Sequence, residues 1–289
     1  MNQLLDPARL PTLKTWQRLE NRPLDFLNAS RGFGTIFLQG RTFAGGLGRF
    51  YESIDWIIDR ESKSAFAPGS GVEVNFEALA GMHAAANQSE ESPVISIDFD
   101  FCHRIAGLSL VNLPSLSIME KLRQAIQLFG QEEIASSAVE EWRLEIQPEW
   151  NLCDHCRKLA IERARNPEKH ALFRIIHDLA DSGENMMVGM GSDHLKLDTW
   201  MQPERLSAFE GFLSVNDRFG EAMLHVNLGL VYSLRFYPEI VDGEEFATLQ
   251  IHDLRGDLNF EIRHRDPLMV RHWKAICDDS GYFDRKCDS

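Results

Sequence analysis

Apolar and polar residues alternate along both arms of ATLQIHDLRGDLNFEIRHRD, residues 247–266. Leu249 and Ile251 lie on one arm, Leu258, Phe260 and Ile262 on the other, and Asp253-Leu254-Arg255-Gly256 joins them. A period of two on either side of a Gly-containing turn predicts an antiparallel strand pair with one face buried. PVISIDFDFCHRIAGLSL, residues 93–110, shows the same pattern about 150 residues earlier.

The rest of the chain sorts by the same criterion. Residues 11–29 place Leu13, Trp16 and Leu19 on one side of a helix that Pro23 interrupts. TIFLQG, RFYESIDWIID, VEVNFEAL and VISIDFD are short β-branched or aromatic runs separated by turn residues. LSIMEKLRQAIQLFGQEEI, residues 116–134, predicts an amphipathic helix buried through Ile118, Leu122, Ile126 and Leu128, with Gly130 as its C-cap. From Ser136 to about Leu179 no strand is expected, only helices broken near Asn166-Pro167 and closed at Ser182-Gly183. Seven further strand-like runs follow, from NMMVGMG to DLNFEIRHR, and PLMVRHWKAICDD predicts a terminal helix.

The two halves superpose element by element at an offset of about 150–158 residues. FLQG (37–40) meets VGMG (188–191), VEVNFEAL (72–79) meets MLHVNLGL (223–230), and SIDFD (96–100) meets LQIHD (249–253). An internal duplication accounts for this order. Strands that follow one another without intervening helices exclude a parallel α/β sheet. The expected fold class is α+β: two repeats of a large antiparallel sheet module, each followed by a helix, joined by a helical linker. The expected boundaries are residues 1–135, 136–182 and 183–289.

Composition narrows the function. A formal charge of −14 disfavours nucleic acid and anionic membrane surfaces as partners. Five cysteines, an odd count, and an opening without a basic-then-apolar leader point to a cytoplasmic protein; no apolar run is long enough to insert in a membrane.

ENMMVGMGSDHLKLDTW, FEGFLSVNDRFGEAMLHVNLGLVYSLRFYP, FATLQIHDLRGDLNFEIRHRDP and WKAICDD follow one another with an order and spacing that resemble the C-terminal repeat of the HemS/ChuS-type haem-utilisation proteins. FLQGRTFAGGLGRFYESI and VISIDFDFCHRIAGLSL, followed by the 116–129 helix, resemble the N-terminal repeat. The resemblance implies a cytoplasmic protein of iron utilisation that either carries haem or both carries it and degrades it oxidatively with a redox partner. Haem, or another tetrapyrrole, would sit between a linker helix and the C-terminal sheet. It implies His155 as the iron ligand, and Arg265 and Arg41 at basic positions of the family. The His of each repeat's second strand is absent, with Asp198 at the C-terminal equivalent. That absence favours the alternative, a non-haem member serving protein interaction or another flat anionic ligand.

The residues themselves offer further candidates. His170 and His177 lie seven apart on the next helical stretch, as alternatives to His155. Arg235, Arg263, Arg265 and His264 cluster on strands expected to be close, and guanidinium groups grip carboxylates bidentately. Cys153-x-x-Cys156 lacks a preceding strand and a fourth zinc ligand, so it reads as buried or incidental thiols. Asp98 and Asp100 imitate an aspartyl-phosphate motif but read better as flanking a hairpin turn. VGMGSD is a lone G-x-G, too little for a dinucleotide loop.

Overall fold

The computed structural model describes residues 15–31, 33–87, 94–102, 105–112, 116–147, 152–192 and 194–280. The chain divides into two units of similar size. One comprises Met1–Arg41, Gly48–Asn151 and Ser192–Lys196; the other comprises Thr42–Leu47, Leu152–Gly191 and Leu197–Ser289.

The first unit runs β1 (Thr15–Leu19), α1 (Pro23–Ala29), β2 (Ile36–Thr42), β3 (Gly45–Tyr51), β4 (Ile57–Asp59), β5 (Ser64–Ala67), β6 (Val72–Asn75), β7 (Leu79–Asn87), β8 (Val94–Phe101), β9 (Ile105–Asn112), α2 (Leu116–Phe129), β10 (Gly130–Ile134) and α3 (Ser136–Ile146). Its large sheet has the order β10-β1-β7-β8-β9-β2-β3, and β4, β5 and β6 form an antiparallel meander. β8 is central and buried on both faces. Ile95, Ile97, Phe99 and Phe101 fill one side, where Phe26 of α1 meets Phe99 at 6.1 Å and Phe129 of α2 at 5.5 Å between ring centroids. Each buried Phe removes enough apolar surface from water to contribute about 1.5–3 kcal/mol.

The second unit runs α4 (Asp154–Ala164), a 3₁₀ turn at Pro167–Lys169, α5 (Ala171–Ser182), β11 (Met186–Gly191), β12 (Leu195–Met201), β13 (Pro203–Phe209), β14 (Phe212–Asp217), β15 (Ala222–Asn227), a 3₁₀ turn at Leu228–Leu230, β16 (Val231–Val241), β17 (Glu244–Asp253), β18 (Leu258–His264) and α6 (Met269–Ser280). The order β16-β17-β18-β11-β12 repeats β7-β8-β9-β2-β3 strand for strand, and β13-β14-β15 repeats the meander. Each sheet module is preceded by a helix, α1 or α5, and followed by one, α2 or α6. The duplication is therefore present in the topology.

Local detail agrees. β6 and β15 both end on Asn, and each side chain accepts from the backbone N–H two residues on: Asn75 from Glu77 at 2.8 Å, Asn227 from Gly229 at 3.1 Å. In the hairpin, Leu249 pairs with Ile262 and Ile251 with Phe260, all four fully buried, around a turn where Gly256 has φ 82°. α5 buries Leu172, Ile175, Ile176 and Leu179, the i, i+3, i+4, i+7 stripe, and ends on Gly183 at φ 69°.

Three expectations are corrected. Residues 15–19 form a strand, because Trp16, Gln17 and Leu19 are claimed on both sides by β7 and β10. The helix begun at residue 116 stops at Phe129, just before Gly130 as expected, but Gly130–Ile134 then form the strand β10, which the sequence did not predict. A β-carbon on Gly130 would lie 2.6 Å from the Ile126 carbonyl oxygen and would also meet Gln17, so glycine permits the close approach of β1. Matching SIDFD to LQIHD is one residue out: Leu249 and Ile251 face the core, as Ile97 and Phe99 do, whereas Ser96 and Asp98 face the opposite side. A slip of one residue exchanges the two faces of a strand.

Candidate functional site

The side of the second unit's sheet opposite its apolar core is assembled by strand alternation and register. Arg235 pairs with Gln250, which pairs with Glu261, which pairs with Gly189. In the next row, Tyr237 pairs with Thr248, which pairs with Arg263. Arg265, two residues beyond Arg263, continues the same side and lies 4.9 Å over the ring of Trp200. Gly189 has no room for a side chain, because a β-carbon would come within 2.6 Å of an Asp198 carboxylate oxygen.

Part of this face is already neutralised. Arg263 donates to Glu239 at 3.0 Å and is ion-paired with Glu261. Gln250 donates to Glu261 at 3.0 Å, and Thr248 donates to Glu239 at 3.0 Å. Burial, with Glu261 and Glu239 nearby, raises the Tyr237 phenol above its ordinary value, so it remains a hydrogen-bond donor. Arg235 and Arg265 are different. Both are exposed, and neither makes an ion pair with a described residue. His264, grouped with them by sequence, points the other way; it is buried, 6.5 Å from the Trp273 ring and 3.3 Å from Glu184.

His155 lies in the first turn of α4 and is exposed. The helix is held through its far end: Ala160 and Ala164 pack on Gly229 and Gly211, and Arg163 donates to the Val231 carbonyl at 3.1 Å. His155 and the sheet face thus belong to one unit, and the imidazole is uncommitted to the core.

The equivalent face of the first unit is closed. Register sets His83, Asp98 and Ser109 where the second unit has Arg235, Gln250 and Glu261. Asp98 and Asp100, 4% and 1% exposed, lie within β8, not at a hairpin turn as expected. Arg143 of α3 reaches Asp98 at 2.7 Å and Asp100 at 2.8 Å, and Arg41 of β2 reaches them at 3.5 and 3.3 Å. His83 adds a 2.9 Å contact to Asp100, and Ser96 donates to Asp98 at 2.6 Å. Burial pushes the Asp98 carboxyl up, but Arg41 and Arg143 outweigh it and hold it at about 2. Arg143 also lies 5.0 Å over the Trp16 ring, and Trp142 meets His83 edge-on at 4.9 Å. Beside them is a cavity of about 260 Å³ lined by His83, Trp142, Arg18 and Gln131.

Sequence reasoning missed this cluster because its cations come from 59 and 45 residues away. The available signal was two carboxylates inside a continuous strand, which must find cations when buried.

The other sequence candidates separate clearly. His170 is fully buried and caps α5, its Nδ1 accepting from Leu172 N–H at 3.1 Å. Burial, with Arg163 nearby, lowers it to about 3, so the imidazole is neutral and structural. His177 is exposed and pairs with Asp181 at 3.1 Å. Cys153 is exposed rather than buried, and no group of three or more His, Cys, Asp or Glu among the described residues is arranged to hold a metal ion. No helix among them is long and apolar enough to cross a membrane.

No family model matches the sequence, and no curated protein matches it. Solved structures do. Holo-PhuS, a haem-binding protein from Pseudomonas aeruginosa, is similar at a TM-score of 0.62 and 14% identity, over 87% of this chain and 82% of that one. The haem-degrading enzyme ChuS of Escherichia coli O157:H7 is similar at 0.64 and 12%, over 93% and 88%. A further ChuS structure, described as an E. coli haem oxygenase, gives 0.62 and 12%, over 94% and 90%. At these identities the likeness is one of fold: the chain has the duplicated antiparallel-sheet architecture of PhuS and ChuS.

Proposed function

We propose that this chain binds haem, or a related flat tetrapyrrole, against the polar face of the second unit's sheet. The observation that carries the reading is the difference between two copies of one module. In the first, Arg41 and Arg143 close the face onto Asp98 and Asp100; in the second, Arg235 and Arg265 are exposed without a carboxylate partner among the described residues. The shared fold with a haem-binding protein and a haem-degrading enzyme supports the same ligand class. The donor set fits haem: an exposed imidazole at His155 for the iron, and guanidinium groups at Arg235 and Arg265 for the propionates. Arg41, already shared between two carboxylates, has a structural role in this reading.

In the same reading the protein serves haem and iron utilisation in the cytoplasm as a carrier. Oxidative cleavage would need dioxygen and an external reductant, chemistry that belongs to the bound group and not to side chains of this chain.

A second reading, a non-haem member of the fold acting in interaction or on another ligand, is favoured by one feature: Asp198, Glu239 and Glu261 place three carboxylates on the same face. Titration of the full chain with hemin separates the two. A saturable shift of the Soret band that His155→Ala removes supports the first; the absence of a saturable shift supports the second. If hemin binds, loss of the Soret band in air with a reductant distinguishes degradation from carriage.

A further inference from the structure

We propose that Cys153 and Cys156 are a redox-active dithiol that closes to a disulfide across the first turn of α4. The inference is independent of the haem reading. It rests on the geometry of one helical turn: the Cys153 sulfur accepts the Cys156 backbone N–H at 3.5 Å. Cys153 is the N-cap, with extended φ −65° and ψ 164°, and Cys156 is three residues on. That spacing brings the two α-carbons within the separation of about 4.4–6.8 Å that a disulfide spans.

The two thiols are unequal in the way such chemistry needs. Cys153 is exposed, and Cys156 is half-buried. The Cys156 N–H in the first turn of α4 points at the Cys153 sulfur, the atom that must carry charge when it attacks. Closure also leaves the packing of α4 intact, because the helix is held through Ala160, Arg163 and Ala164 at its other end.

With a low-molecular-weight disulfide such as glutathione disulfide as oxidant, the steps balance. The Cys153 thiolate attacks one glutathione sulfur, the glutathione S–S bond breaks, and one glutathione thiolate leaves and takes a proton. Cys156 then gives up its proton and attacks the Cys153 sulfur of the mixed disulfide, expelling the second glutathione. Two protein thiols are oxidised and one glutathione disulfide is reduced to two thiols.

Trypsin releases both cysteines in one peptide, residues 144–157, between Arg143 and Lys158. The full chain is equilibrated in glutathione–glutathione disulfide buffers, quenched by alkylation, digested and weighed. The expected result is a peptide that lacks two hydrogens and takes no alkylating reagent as the buffer becomes oxidising. Cys156→Ser should accumulate glutathione on Cys153, while Cys153→Ser should react at Cys156 at least about tenfold more slowly. Both positions lie outside the core, and circular dichroism checks that the variants fold. Two alkylatable thiols persisting in excess glutathione disulfide would overturn the proposal. So would glutathione on both cysteines without closure, or equal rates in the two variants.

Discussion

Replacing His170 by Asn should remove about 2 kcal/mol of acid sensitivity from the fold. The imidazole is fully buried, accepts the Leu172 N–H at 3.1 Å to cap α5, and is lowered from 6.5 to about 3 by burial, with Arg163 nearby. Above pH 6.5 it is neutral in the folded and unfolded chain alike, so its contribution to stability is present in full. Below that, the unfolded chain takes up a proton that the folded chain refuses until about pH 3, and stability falls with pH across this window. At pH 5 the unfolded imidazole is almost wholly protonated and the folded one is not, which costs about 2 kcal/mol relative to pH 7. That figure depends on the unfolded value and hardly on how far below 5 the folded value lies. Asn retains an oxygen that caps the helix but does not titrate. Urea unfolding of both proteins at pH 7 and pH 5 gives the test. The wild type should lose about 2 kcal/mol more than His170→Asn over this interval. Equal losses, or an imidazole resonance for His170 that titrates near its ordinary value in the folded protein, would refute the reasoning.

Other changes follow from the same physics. Asp98→Asn leaves Arg41 and Arg143 facing a single buried carboxylate, and should cost about 3–5 kcal/mol in urea unfolding at neutral pH. In the wild type the Asp98 contribution is complete above its ordinary 3.8 and is lost as pH falls through about 2; the urea midpoint of Asp98→Asn should be correspondingly less acid-dependent below pH 4. Gly211 has φ +86° and a β-carbon there would run into Ala164, so Gly211→Ala should destabilise by more than about 1 kcal/mol in thermal melts. Cys153 should react with iodoacetamide well before Cys277, as peptide mass spectrometry of a time course will report.

What the chain discloses without coordinates is the part governed by local pattern. The alternation at Leu249–Ile251 and Phe260–Ile262 needs only a turn and a core side to become a hairpin, and the break at Pro167 and stop at Gly183 need only backbone chemistry. β1 and β10 were hidden because their strand state is imposed by neighbours: TWQRL and GQEEI have no strong period of two, yet each completes the other's hydrogen bonds. The candidate face was legible only in part. Arg235 and Arg265 could be named from sequence, but the parity that turns His264 inward and Trp200 beneath Arg265 depends on register. The closed face of the first unit was illegible, since Asp98, Arg41 and Arg143 meet only through the tertiary fold.

The central claim is that the second unit's sheet face, and not the first, takes the tetrapyrrole. Hemin affinity of the full chain carrying Arg235→Glu and Arg265→Glu, set against a control with the exposed Arg60→Glu of the first unit, tests it most directly. The account predicts at least about a tenfold rise in Kd for the double variant, equivalent to about 1.4 kcal/mol, with the control unchanged. Equal affinities in all three proteins would contradict it.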